Sequence, residues 1–140
     1  MTTVQRKILV VDDDEDIRQV TKMVLVNFGY EPECVKNGKE ALAVLNMELF
    51  PIVLMDLRLP EINGIDLCMR IKEKNPETVI YAFYGVVTDD EFYELEKMGF
   101  DGLLCKPVSF KVLKSAIEGA FDKINKRKRE SSWMKNSSQG

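Results

Sequence analysis

The sequence predicts an α/β protein: a doubly wound parallel sheet of five strands with five helices. Two observations carry that expectation. Short apolar runs alternate with stretches whose apolar residues recur every three or four positions, the pattern of strands and helices taken in turn. Two of the runs, Ile8-Leu9-Val10-Val11 and Ile52-Val53-Leu54-Met55, show no polar alternation, as strands buried on both faces require. Each runs straight into aspartate, Asp12-Asp13-Asp14 after the first and Asp56 after the second.

After the first strand, Ile17, Val20, Val24, Leu25 and Phe28 fall on one face of a helix that Gly29 stops. Asp14, Glu15 and Asp16 cap its positive end. Tyr30 to Val35 is a short second strand, placed at an edge because Pro32 cannot donate to a ladder. Asn37-Gly38 opens a helix carrying Ala41, Leu42 and Leu45, which ends before Pro51. The second acid-tipped strand follows. A loop from Leu57 to Gly64 leads to a helix with Ile65, Cys68 and Ile71 inward, closed by Asn75-Pro76. Val79 to Tyr84 is the fourth strand. Thr88-Asp89-Asp90-Glu91 fits a capping box, so a helix starts there and ends at Gly99. Gly102 to Cys105 is the fifth strand. Ser109 caps a last helix whose apolar face holds Phe110, Leu113, Ile117, Ala120, Phe121 and Ile124. Residues 6–125 are thus read as one domain. Residues 126–140, basic and then rich in Ser, Asn and Gly, are read as a disordered tail.

The 140 residues suit one ordinary core, and 45% hydrophobic with 31% charged residues is a soluble composition. A net charge of −3 argues against a general nucleic-acid surface. The polar start, residues 1–7, precedes an apolar run too short for a signal sequence or a membrane span, so a cytoplasmic protein is expected. Cys34, Cys68 and Cys105 are odd in number and widely spaced, and they read as small buried hydrophobes. No histidine is present, which removes His-dependent triads and zinc-hydrolase sites. The chemistry must be carried by carboxylates, hydroxyls and lysine.

In the flavodoxin-like strand order 2-1-3-4-5, strands 1 and 3 are neighbours and the order reverses between them, the place where such sheets bind ligands. Neighbouring strands lie about 4.8 Å apart, so Asp13 and Asp56 should converge there. Carboxylates so crowded repel one another by about 1 kcal/mol per pair in water and about 4 at a protein-like dielectric. A hard cation such as Mg²⁺ would relieve that repulsion, with the Arg58 backbone carbonyl as a further oxygen ligand. Lys106-Pro107 follows strand 5, and the lysine can reach over to offset the carboxylates or hold a phosphate oxygen. Carboxylate, divalent cation and lysine round one crevice are the parts phosphoryl transfer needs.

These residues, with Met55-Asp56-Leu57, Pro60-Glu61-Ile62-Asn63-Gly64, Met98-Gly99-Phe100 and Lys106-Pro107 at their spacings, closely resemble the receiver domain of bacterial two-component response regulators over residues 6–125. The resemblance implies that Asp56 accepts a phosphoryl group from a histidine kinase or a histidine phosphotransfer protein. It implies Mg²⁺ held by Asp12, Asp13, Asp56 and the Arg58 carbonyl, with Lys106, before a cis proline, contacting the phosphoryl group. It implies a signalling phosphoacceptor rather than an enzyme acting on other substrates. A downstream protein would dock on helix 4, strand 5 and helix 5, in trans, with no direct nucleic-acid or membrane contact; homodimerisation is left open.

The resemblance breaks at two positions. Receivers usually carry Ser or Thr at the end of strand 4, where this chain has Tyr84, and an aromatic three residues before the lysine, where it has Leu103. A phenol cannot make the contact of a short hydroxyl in the same pose. Tyr84 becomes the candidate to take over part of both roles. The alternative is a pseudo-receiver, a binding module that no longer switches by phosphorylation. An aspartyl phosphatase of the haloacid-dehalogenase type would need a second Asp where Arg58 stands, and a flavin phosphate would be repelled by Asp12-Asp13-Asp14. The Arg58 side chain reads as solvated rim. Lys123, Lys126, Arg127, Lys128 and Arg129 suit the negative end of the last helix, and Trp133 belongs to the tail.

Overall fold

A computed structural model describes the backbone of residues 6–139 and the side chains of residues 6–133; the polar residues 1–5 and Gly140 lie outside the described residues. Strands and helices alternate as β1 (Lys7–Val11), α1 (Glu15–Asn27), β2 (Glu31–Val35), α2 (Gly38–Met47), β3 (Ile52–Asp56), α3 (Gly64–Lys74), β4 (Val79–Tyr84), α4 (Asp89–Glu96), β5 (Gly102–Cys105) and α5 (Phe110–Gln139). The strands form one sheet in the order β2-β1-β3-β4-β5, with every pair parallel. Two compact units emerge, one up to Val108 and one from Ser109 onward.

In the first unit the sheet divides its side chains by the two-residue period of a strand. Leu9 and Val11 of β1, Val53 and Met55 of β3, and Ile80 and Ala82 of β4 join one core with Ala41 of α2 and Leu67, Cys68 and Ile71 of α3. Ile8, Val10, Ile52 and Leu54 point the other way and are equally buried. Continuous apolar strands follow from being covered on both faces. Three helices begin where the sequence places their caps: Asp14 accepts the amides of Asp16 and Ile17, Asn37 that of Glu40, and Thr88 that of Glu91. At the start of α3 the cap is Asn63, which accepts the Asp66 amide. Gly29 and Gly99, at φ of +94° and +93°, let the chain leave α1 and α4 in a left-handed conformation.

Three expectations need correction in this unit. Ile17 and Val20 of α1 are exposed, and Leu25 is the buried residue of that helix. The half-buried Arg18 lies on Leu25's side of α1, and its guanidinium bonds the Asp12 carbonyl at 2.7 Å. In α3 the inward positions are Leu67, Cys68 and Ile71, with Ile65 only half-buried. Cys105 is exposed and Cys34 partly so, leaving Cys68 as the buried thiol. Cys105 ends an edge strand of four residues, where cover runs out.

The second unit is the helix itself. The Ser109 hydroxyl accepts the Val112 amide at 3.1 Å, and Leu113, Ile117 and Ala120 are its buried positions. α5 continues unbroken through most of the segment read as a disordered tail. The physical reason is local: no glycine or proline occurs between Gly119 and Gly140, and the lysines, arginines and glutamate after Asp122 are good helix formers.

Candidate functional site

The order of the sheet reverses between β1 and β3. The register pairs Val11 with Met55, so the next residues along, Asp12 and Asp56, emerge side by side. Asp12 leaves β1 with its amide bonded to the Val35 carbonyl at 3.1 Å, which holds it in line with the sheet. Its Oδ1 accepts the Asp14 amide at 2.9 Å. Asp13 comes next and is exposed. Asp56 is the last residue of β3, opposite Phe83 of β4. One carboxylate oxygen from each of Asp12, Asp13 and Asp56 can be chosen so that all lie within 4.8 Å of one another.

Two donors fix the Asp56 carboxylate. The Arg58 amide reaches Oδ1 at 3.1 Å and the Lys106 ammonium reaches Oδ2 at 2.8 Å. Lys106 is aimed by its own backbone, whose amide bonds the Tyr84 carbonyl at 2.7 Å, and its peptide bond to Pro107 is cis. Asp12 is 2% exposed, and its Oδ2 has no hydrogen-bond partner. Burial is the main force pushing the Asp12 carboxyl above its ordinary value, and the Asp56 and Asp13 charges push the same way. The Asp14 amide and the Lys106 ammonium oppose it.

A buried carboxylate oxygen without a partner, facing two further carboxylates, suits a hard divalent cation. The donor set is all oxygen, as Mg²⁺ prefers. The residues therefore fit the ion that the sequence led us to expect.

The loop from Leu57 to Asn63 forms one wall. Its ends are tied by the Leu57 amide to the Phe83 carbonyl at 3.0 Å and by the Gly64 amide to the Leu57 carbonyl at 2.9 Å. A Cβ at Gly64 would sit 2.8 Å from that carbonyl, so glycine is required by close approach. Midway, the Ile62 amide bonds the Pro60 carbonyl at 2.7 Å with Glu61 at φ +64°. From this wall the Arg58 guanidinium crosses to the Val86 carbonyl at 3.1 Å.

Among the described residues no hydrogen bond joins Tyr84 to Asp56, whose two oxygens take the Arg58 amide and the Lys106 ammonium. Tyr84 is engaged instead by α4. Its ring packs on Phe92 of α4, with centroids 5.6 Å apart and planes at 56°. Desolvation first, and then the Cys105 thiol beside it, hold its phenol above the ordinary value. Leu103 packs against the core.

Residues 8–118 match the response regulator receiver domain. The chain belongs to that family. The receiver is 33% identical to the autoinducer 1 sensor kinase/phosphatase LuxN of Vibrio harveyi over 83% of this chain and 14% of LuxN. It is 31% identical to the response regulator protein PilR of Pseudomonas aeruginosa over 84% of this chain and 26% of PilR. The chain spans about half or less of the length of such curated relatives. Among solved structures, a CheY-like receiver domain protein from Methanospirillum hungatei superposes with a TM-score of 0.82 at 30% identity, over 87% of this chain and 98% of that one. A receiver domain protein from Clostridium thermocellum gives 0.78 at 29% identity, over 84% and 94%. The acidic cluster is of the kind receivers use for Mg²⁺.

The structure brings Asp12, Asp13, Asp56 and Lys106 together and leaves Tyr84 with Phe92 and Cys105. Sequence reasoning missed the Arg58 side chain as a link between two loops, and Phe92 as the partner of Tyr84. Phe92 carried a weak signal, an aromatic on the first turns of the helix that follows strand 4. The acceptor of Arg58 is a backbone carbonyl, which carries no side-chain signal.

Proposed function

We propose that this receiver domain is the phosphoacceptor of a two-component phosphorelay, that Asp56 takes the phosphoryl group with Mg²⁺, and that the change alters partner binding. The carrying observation is the Asp56 carboxylate itself, held by the Lys106 ammonium and the Arg58 amide beside two further carboxylates. These 140 residues hold no histidine, so the donor phosphohistidine lies outside them, on a histidine kinase or phosphotransfer protein. An Asp56 oxygen attacks phosphorus and a new O–P bond forms. The donor's N–P bond breaks, and the electron pair stays with the imidazole nitrogen. Water later attacks the acyl phosphate, returning the carboxylate and inorganic phosphate.

Bound Mg²⁺ would supply neutralisation of the phosphoryl charge, held by Asp12, Asp13, Asp56 and the Arg58 carbonyl. Lys106 moves from Asp56 Oδ2 to a phosphoryl oxygen as charge develops there. The buried Asp12 adds a third carboxylate to the cluster. The new group adds about −1.5 to −2 charge, enough to redistribute the domain between conformations that partners distinguish. The output surface assigned to this change includes α4, where Tyr93 is exposed.

A second reading has one observation in its favour. Tyr84, at the position where receivers carry a hydroxyl for the phosphoryl group, spends its side chain on Phe92 and Cys105. A pseudo-receiver would look so. Incubation with acetyl phosphate and Mg²⁺, read by intact mass, separates the two. One phosphoryl group on wild type and none on Asp56→Asn supports the phosphoacceptor. An unlabelled wild type beside a labelled control receiver supports the pseudo-receiver.

A further inference from the structure

The turn between β4 and α4 is tied to the far wall of the site by one side chain. The Arg58 guanidinium donates to the Val86 carbonyl at 3.1 Å. Little else holds this turn. The Val86 side chain is 90% exposed, and a Cβ placed on Gly85 would meet nothing within 4 Å. Among the described residues, the Arg58 bond is the hydrogen bond that anchors the stretch from Gly85 to Val87 to the rest of its unit.

The same residue is fixed beside the acceptor. The Arg58 amide sits 3.1 Å from Asp56 Oδ1, so its long side chain starts at the carboxylate and is free to fold back over it. We propose that Arg58 is the residue that reads the phosphoryl group: its guanidinium leaves the Val86 carbonyl for the phosphoryl oxygens on Asp56, and so releases the turn that leads into α4. This inference rests on Asp56 being the phosphoacceptor.

The exchange is favoured by the chemistry of the two acceptors. The Val86 carbonyl is neutral and offers the guanidinium a single oxygen. A phosphoryl group offers three oxygens and a charge of about −1.5 to −2, so it adds opposite-charge attraction to a bond that at Val86 is assisted by the guanidinium's charge alone. The planar fork of arginine matches such a group with two parallel bonds, which a point-charge ammonium cannot. Before the transfer Asp56 itself does not draw the outer donors, because its two oxygens are already engaged by the Lys106 ammonium and the Arg58 amide.

The exchange also fills the gap left at position 84. The Tyr84 ring is committed to Phe92 of α4, so no short hydroxyl at the end of β4 is available to the phosphoryl group. Arg58 would supply the missing contact from the opposite wall. Its departure frees Val86, two residues from Tyr84. The Tyr84–Phe92 ring contact then carries the loosened turn into α4. The information would travel from β3 to α4 through a backbone carbonyl set free, without any inward swing of an aromatic at position 103.

The test uses the full chain labelled with ¹⁵N and treated with acetyl phosphate and Mg²⁺, each spectrum paired with intact mass so that shifts are scaled to the labelled fraction. The Val87 amide shares its peptide group with the Val86 carbonyl and reports on that carbonyl's hydrogen bond. In labelled wild type, the Arg58 Nε–H and the Val87 and Phe92 amide signals are expected to move together. In Arg58→Ala without phosphoryl donor, the Val87 signal should already lie near its position in labelled wild type, and labelling should move it less than half as far. Arg58→Lys, which keeps the charge and loses the fork, should restore part of the labelling-induced shift. A labelled wild type whose Arg58 Nε–H stays still, or an Arg58→Ala whose Val87 moves as far as wild type, overturns the exchange and leaves Asp56 as acceptor. A wild type that takes no label overturns both readings.

Discussion

Asp12 concentrates the electrostatics of the site in one side chain. Burial and the charges of Asp56 and Asp13 raise its pKa in the fold, so between the ordinary carboxylate value and the raised one the folded state holds more protons than the unfolded state. The sign follows: with no metal bound, this group's contribution to stability falls as pH rises through that window, and the full penalty is present above the raised value. Asp12→Asn keeps an oxygen for the Asp14 amide and removes the charge. In EDTA at pH 7 it should unfold at higher temperature than wild type, by about 1–4 kcal/mol, the range for a like-charge pair between water and a protein-like dielectric. The advantage should shrink as the pH is lowered through the raised Asp12 value. Mg²⁺ should stabilise wild type and do so less for the variant. Scanning calorimetry at two pH values checks all three, and an Asp12→Asn less stable than wild type in EDTA would refute the penalty.

Element by element, the far end of α3 shows how strongly distant segments can be joined. The Lys72 ammonium lies 2.7 Å from Asp101 Oδ2 and 2.6 Å from the Thr78 carbonyl, while the same Asp101 oxygen accepts the Ile80 amide at 2.8 Å. One carboxylate thus bolts α3 to the start of β4 and to the turn before β5. Asp101→Ala leaves both an ammonium and an amide short of an acceptor, and should cost about 2–4 kcal/mol. Urea unfolding of wild type and variant measures it; a loss under about 1 kcal/mol would mean water replaces the carboxylate. Such links explain what the sequence could and could not disclose. β1, β3 and the Asp12, Asp13, Asp56 cluster were legible because unbroken apolar runs and adjacent acids are local patterns. The capping residues Asp14, Asn37 and Thr88 were legible for the same reason. The inward face of α1 was not, because Arg18 takes an inward place on the strength of a bond to a backbone carbonyl. Arg58 with Val86, and Lys72 with Asp101, are 28 and 29 residues apart and pair across elements, where no periodicity points.

At the scale of the whole molecule, α5 runs on through Gln139 although the family match ends at residue 118. Every side chain from Lys128 to Trp133 is exposed. Removal of residues 128–140 should therefore change the free energy of unfolding by no more than about 0.5 kcal/mol, the usual effect of altering exposed positions. A larger loss in a denaturant titration would show that the end of the helix is held by the fold. The two rims of the sheet have a different consequence. On one side β2 presents Glu31-Pro32-Glu33, two exposed carboxylates around a residue with no amide hydrogen to give, and on the other β5 is only four residues long. A bare rim is a template on which a second chain can lay down a strand, and fibres grow by repeating that step. Here one rim repels and cannot complete the ladder, while the other is too short to seed it. Neither rim of this sheet therefore invites a strand from a second copy, so crowding the protein gives fibre growth no edge to start from.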